Sequence, residues 1–323
     1  MTRVKECVLH RGFEHGDILD KMTALMDASE KSAVNASEME EEFYECVNGL
    51  IEIAGSYGFT GNLWHDYLTL LLVNHENAFS TASEIRGAIE QSCNYFFNMI
   101  GFLAGKNADG DFSETLSLSK LQKYASEFAL DEKTGIEISE ATPHVSDSKA
   151  VPSYIGQGNH LFTTSQLARY ATALATSGTV YDLSLLNKVT DSQGKILNEY
   201  APSVKNELSD VPNSVWEDIH DGMRRVVQTH EQFNGLGVTL SGKTGTAELD
   251  IYHPNHGLFI GYTNSPSTGD AEYAIAVRIA NGYTSGNACL TANDILQYIY
   301  NLADEDTILT GYASSDTSNT SND

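Results

Sequence analysis

The sequence predicts a mixed α/β protein of the α+β type, an antiparallel sheet packed between helices. Three observations predict it. Late in the chain, three runs rich in β-branched and aromatic residues follow one another: VTLSGKTGTAEL (238–249), GLFIGYT (257–263) and EYAIAVRIAN (272–281). Turn-rich separators between them are the mark of consecutive antiparallel strands. Amphipathic helical patterns come before these runs, and one more, LTANDILQYIYNLA (290–303), follows and would close the domain against the sheet. Finally, 41% hydrophobic and 20% charged residues in a chain of 323 belong to a globular protein. That length suits one large domain or two smaller ones.

Taken in order, residues 1–60 read as an acidic, mostly helical segment. DILDKMTALMDASEK (17–31) spaces Ile18, Met22, Leu25 and Met26 as a helix would. SEMEEEFYECVNGLIEIAG (37–55) opens on Ser37, a good N-cap, with Glu in the first turn. Residues 61–303 form the main domain. SEIRGAIEQSCNYFFNMIGFLAG (83–105) reads as two helices broken near Ser92–Asn94, and SKLQKYASEFAL (119–130) as an amphipathic helix leading into an extended piece, DEKTGIEI (131–138). A further helix begins at a Thr/Ser cap near 163 and stops at Gly178, and another covers 211–228. The tail 304–323 is acidic, lacks Lys and Arg, and is expected to be disordered.

Charge excludes some functions. A formal net charge of −25 argues against nucleic acid, whose phosphates need clustered Lys and Arg, and against an anionic membrane surface. MTRVKECVLHRGFEHGDILD shows no apolar stretch of signal-peptide length, and the longest apolar run, YLTLLLV at 67–73, is far too short to span a bilayer. Cys7, Cys46, Cys93 and Cys289 are scattered and suggest neither a zinc site nor a disulfide framework.

Two short stretches carry chemistry. In SGKTGT, Lys243, Thr244, Gly245 and Thr246 put a cation, two hydroxyls and a bare backbone position on one strand. Alternation sends Lys243 and Gly245 one way and Thr244 and Thr246 the other. Gly245 lets a substrate backbone come close and pair with the strand edge. Lys243 can balance a carboxylate or move a proton, and a neighbouring N–H can face a developing oxyanion. The plain alternative is an edge strand guarded by a lysine. A second Lys-Thr-Gly, at Lys133, Thr134 and Gly135, shows that the tripeptide alone decides nothing. In EQSCNYFFN, Ser92 and Asn94 put a hydroxyl and an amide on one turn, suited to relaying a proton and holding a carbonyl. A helix-cap role is the alternative there.

From about 75 to 303 the chain resembles the transpeptidase domain of class B penicillin-binding proteins, of the β-lactamase-like superfamily. The resemblance runs in order through GAIEQSCNYFF, LQKYASEFALDEKTGIEI, YIGQGNHLFTTSQLARYATALATSGTVY, VTDSQGKIL, DGMRRVVQ, SGKTGTAE, HGLFIGYT and AIAVRIANG. It implies a β-lactamase/transpeptidase-like fold, incomplete at its N-terminal strands, and serine acyl transfer between peptidoglycan stem peptides. By that resemblance Ser92 and Asn94 match Ser-x-Asn, and Lys243 matches the lysine of Lys-Thr-Gly. Thr244, Gly245 and Thr246 hold substrate, Thr246 giving an oxyanion-hole N–H and a hydroxyl for the substrate carboxylate. Lys133–Gly135 falls in a peripheral segment, and Gly156, Gln157 and Gly158 shape a loop near the cleft. Implied partners are D-Ala-D-Ala stem peptides, β-lactams and proteins of cell division or elongation, at the extracytoplasmic face of a bacterial membrane. No cofactor is implied.

The nucleophile is the gap. The family carries it in Ser-x-x-Lys, about 50–60 residues before Ser-x-Asn, near positions 30–45 here. No lysine lies between Lys31 and Lys106, and Ala28 stands three places before Lys31. Ser117-Leu118-Ser119-Lys120 and Ser192-Gln193-Gly194-Lys195 fit the pattern but follow Ser92 and are expected to be a helix and a turn. Without that serine the acyl-enzyme cannot form and the site is a binder at most. His253 and His256 have no acidic cluster to complete a metal site.

Overall fold

The computed structural model describes residues 85–308, apart from Asp109 and residues 249–251. Residues 1–60, and the tail beyond Ile308, lie outside the described residues. Helices α1 (Ile85–Glu90), α2 (Asn94–Ala104), α3 (Glu114–Glu127), the single turn α4 (Ala150–Ser153) and α5 (Thr164–Ala175) come first. Four short strands follow, β1 (Thr179–Asp182), β2 (Lys188–Thr190), β3 (Ile196–Glu199) and β4 (Ser203–Glu207), then α6 (Asn213–Thr229). The last part holds β5 (Thr239–Ala247), β6 (His256–Asn264), β7 (Ala271–Ile279), α7 (Ser285–Ile299) and the short α8 (Glu305–Ile308). The first residues of the predicted tail are thus helical, with Ile308 buried.

The main sheet is antiparallel in the order β5-β6-β7 among the described residues. Its alternating side chains feed two cores. On one face Leu240, Phe259, Ile275 and Val277 pack against Ala288, Cys289, Ala292 and Leu296 of α7. On the other, Tyr262 packs with Ala173 and Leu174 of α5 and with Trp216 and Met223 of α6. The sheet therefore lies between helices, as the fold class requires. β2 pairs with β3 in a small exposed ribbon, and β1, with Val180 buried in the second core, pairs with the exposed β4.

Helix boundaries follow their caps. α3 starts at Glu114, five residues earlier than its apolar pattern suggested, because the Ser113 hydroxyl accepts from Leu116 N–H. α7 starts at Ser285 rather than Leu290, with the Thr284 hydroxyl accepting from Gly286 N–H. α5 opens on a capping box between Thr163 and Gln166. Four helices end in one way. Ser92, Ala129, Ser177 and Asn301 adopt positive φ, and the residue after each donates to the carbonyl five back: Cys93 to Ala88, Leu130 to Ala125, Gly178 to Ala173 and Leu302 to Gln297. This is the Schellman ending, whose left-handed position usually holds glycine. The helix expected to stop at Gly178 thus turns at Ser177, while Gly178 (φ +104) lies against Trp216, 2.8 Å from where a Cβ would stand.

The extended piece predicted at 131–138 joins no strand ladder. Arg169, fully buried on α5, donates to the carbonyls of Ala129, Glu132 and Lys133, and Gln166 donates to that of Glu132. Glu140 accepts from Thr134 N–H and from the Ser165 hydroxyl. The backbone of this segment is bound by side chains of α5 and its own loop, so it does not pair as a strand.

Candidate functional site

The α1–α2 turn places Ser92. Its φ of 49° is a left-handed conformation that costs a residue with a Cβ about 1–2 kcal/mol. The turn is held by Ser92 N–H to Ile89 carbonyl (3.3 Å) and Cys93 N–H to Ala88 carbonyl (2.9 Å), with Cys93 buried beneath. Arg86 pairs with Asp218 and Arg225 with Asp221 and Glu90, fastening α1 to α6. Asn94, the first residue of α2, is exposed.

β5 brings up the other half. The Lys243 ammonium donates to the Ser92 hydroxyl and to the Thr244 carbonyl at 3.0 Å. Thr244 is buried on the α7 side of the sheet, paired with Phe259. The Thr246 hydroxyl accepts from Ser285 N–H at 3.2 Å, which orients it and ties the end of β5 to α7. Lys243 and Thr246 thus leave the strand on opposite faces, as alternation requires. Arg224 of α6 donates to the Leu240 carbonyl at 2.7 Å, anchoring the start of the strand.

Ser92, Asn94, Lys243, Thr244, Gly245 and Thr246 all border one cleft of about 580 Å³. The structure brings together every site residue expected from sequence. The two strand glycines differ. A Cβ at Gly242 would overlap the Phe259 ring and come within 2.8 Å of the Ile260 carbonyl, whereas one at Gly245 would sit 3.6 Å from Leu258, an ordinary contact. Packing demands glycine at 242 but not at 245, where the open space belongs to the cleft.

The opposite wall is Tyr154–Gln157, which leaves α4 directly. Gly156 and Gln157 border the cleft, while Gly158 (φ +87) sits against the Ser153 and Ser146 hydroxyls, 2.5 and 2.8 Å from a Cβ position. Sequence reading missed Tyr154, Ile155, Leu258 and Ile260 as lining residues. The last two could have been found from register, since they stand opposite Gly245 and Lys243 on β6.

Other candidates lie elsewhere. Thr134 is fully buried and its carbonyl accepts from Leu183 N–H, so the second Lys-Thr-Gly is a packed loop. Ser117 is buried in α3, donating to the Gly101 carbonyl at 2.7 Å. Ser192–Lys195 is the tip of the β2–β3 hairpin, gathered by the Asp191 carboxylate. Neither Ser-x-x-Lys match borders the cleft. His256 takes Asn281 N–H on Nδ1 at 3.0 Å, and no group of three metal-type side chains occurs among the described residues. Among those residues no helix is long and apolar enough to cross a membrane.

A helix-flanked antiparallel sheet, its first strand carrying Lys-Thr-Gly against a Ser-x-Asn turn, is the architecture of a β-lactamase-like transpeptidase domain. The family model for the penicillin-binding protein transpeptidase domain matches residues 65–300, and the chain belongs to that family. It is similar to penicillin-binding protein H of Bacillus subtilis (strain 168), 25% identical over 267 residues, covering 75% of this chain and 37% of that protein. Among solved structures, penicillin-binding protein 2B of Streptococcus pneumoniae (strain R6) has the same fold with a TM-score of 0.56 at 21% identity, over 68% of this chain and 40% of that one. Penicillin-binding protein A of M. tuberculosis, solved as a ceftriaxone acyl-enzyme complex, gives 0.54 at 22% identity, over 67% and 47%. The chain therefore spans about two fifths of the length of these relatives.

Proposed function

We propose that this chain is a peptidoglycan D,D-transpeptidase-family domain that holds the D-Ala-D-Ala end of a wall stem peptide, or a β-lactam, without forming an acyl-enzyme through Ser-x-x-Lys. The observation that carries this reading is the Lys243–Ser92 hydrogen bond at the cleft edge of β5. A peptide laid along β5 pairs with its backbone past Gly245, which offers no side chain to block it. Its terminal carboxylate meets the Lys243 ammonium and the hydroxyl of Thr246, charge-assisted contacts of the stronger kind. Its carbonyl oxygen meets the N–H of Thr246, while Ser92 and Asn94 face the scissile amide.

Acyl transfer asks for one thing more. A serine Oγ must attack the carbonyl carbon and give its proton to an adjacent base. No serine ahead of Ser92 has a lysine three places on, and both later matches are engaged away from the cleft. The chain then serves as a binding module for wall peptide or for a protein of the division or elongation machinery. Support for the second partner class comes from two relatives of similar fold, one solved as a complex with MreC from Helicobacter pylori and one within a peptidoglycan synthase complex. The place of action is the extracytoplasmic face of a bacterial membrane.

Intact-protein mass after incubation with a fluorescent penicillin, with folding checked by circular dichroism, tests this reading. The expected result is no stoichiometric adduct, with reversible binding of an acyl-D-Ala-D-Ala peptide that Lys243→Ala weakens by about tenfold or more, the worth of one charge-assisted hydrogen bond. A stoichiometric adduct mapped to any serine would overturn it.

A further inference from the structure

The cleft wall Tyr154–Gln157 is held from behind by a buried polar network. Residues 144–161 form a loop closed by a bridge in which His144 and Leu161 exchange N–H···O bonds of 2.9 and 2.8 Å. Inside it the fully buried Ser146 hydroxyl contacts the Ser153 hydroxyl (2.7 Å), the Asn159 side-chain oxygen (2.7 Å) and the Ser148 carbonyl (2.9 Å). His160 spans this loop. Its Nδ1 takes the Ser146 N–H at 3.0 Å, and its Nε2 lies 3.2 Å from the Ser153 carbonyl.

Those partners assign the ring's state. A backbone N–H only donates, so Nδ1 is an acceptor and Nε2 carries the proton, which it gives to Ser153. The same Ser153 carbonyl accepts from Gly156 N–H at 3.2 Å, so His160 and the cleft wall share one acceptor. A second proton on Nδ1 would face the Ser146 N–H, and two donors in contact repel. Ser146 would leave the ring and release Ser153, from which the wall continues.

We infer that His160 is a positioning residue of this site: its neutral ring sets the Tyr154–Gln157 wall opposite the Lys-Thr-Gly strand, and ligand affinity follows its protonation. The affinity clause rests on the ligand-holding role proposed above. Burial favours the neutral ring, and neighbouring His144 acts in the same direction. The other charged and titratable groups near the loop have their own partners or face outward. His144 Nε2 takes an Asn159 amide N–H, Asp147 accepts from the same amide, and Glu114 of α3 accepts from Ala150 N–H. Lys149, the N-cap residue of α4, is exposed.

The test uses the full chain between about pH 8 and pH 5, across the ordinary histidine range. In ligand-free protein, the amide resonances of Gly156 and Gln157 are expected to shift together with the His160 ring. Affinity for an acyl-D-Ala-D-Ala peptide is expected to fall about fivefold, the worth of the one neutral hydrogen bond that protonation of the ring removes. His160→Gln keeps one acceptor and one donor but cannot titrate, so its affinity should stay flat across that range. Wall resonances that ignore the His160 titration would overturn the inference, as would a His160→Gln profile as steep as that of the parent, or a slope abolished by His144→Gln instead. If no ligand binds at pH 8, the ligand-holding role fails, and the ligand-free resonances still decide whether His160 positions the wall.

Discussion

At the scale of single residues, the site rests on positions where packing and chemistry ask for different things. Gly242 and Gly245 lie three apart on one strand, yet only the first has no room for a methyl group. Gly242→Ala is therefore expected to cost about 1–3 kcal/mol, the usual cost of overpacking. Gly245→Ala should change stability by less than about 0.5 kcal/mol while weakening peptide binding along β5. Urea unfolding and peptide titration of both variants would check this, and equal stability losses would sink the distinction. The cleft position of the two motifs was legible in sequence because motif identity picks them out: Ser92, Asn94 and Lys243 through Thr246 all border one cleft. Leu258 and Ile260 were not, since an apolar residue on a strand lines a cleft only by virtue of register, and register belongs to the pairing of β5 with β6.

Secondary elements tell a similar story. The three strands and their order were readable from β-branched runs and turns, and so was the Thr/Ser cap of α5. The starts of α3 and α7 were missed because both open on polar or small residues, where a hydroxyl cap decides and hydrophobic periodicity is silent. The extended piece at 131–138 was misread because side chains take its backbone in place of a strand: Glu140 of its own loop, and Gln166 and Arg169 more than 30 positions away. The loop over His160 adds a pH dependence at this scale. Its ring is less basic folded than unfolded, owing first to burial. Between the folded value and the ordinary one near 6.5, the unfolded chain holds a proton that the folded chain lacks, so stability there rises with pH. The contribution of His160 is thus complete above about pH 6.5 and fades as pH falls through the folded value. Thermal melts of the parent and of His160→Gln should converge or cross on acidification; parallel curves from pH 8 to 5 would count against it.

The whole molecule carries a formal charge of −25, and self-repulsion on that scale weakens the compact state. Raising ionic strength from about 0.01 M to 0.15 M shortens the screening length from about 30 Å to 8 Å. The melting temperature is expected to rise by roughly 2–4 °C, equivalent to about 1 kcal/mol for a domain of this size. An unchanged or lower midpoint, measured by calorimetry, would mean the acidic residues are already compensated locally. Ser92 and Lys243 stand 151 positions apart in the chain, with the wall at Tyr154–Gln157 contributed from between them. Joining such distant stretches requires closure of very large loops, a slow event that local helix formation cannot shortcut. After a jump from denaturant, the capacity to capture a peptide should consequently recover with the slowest phase of refolding, well after helical signal returns.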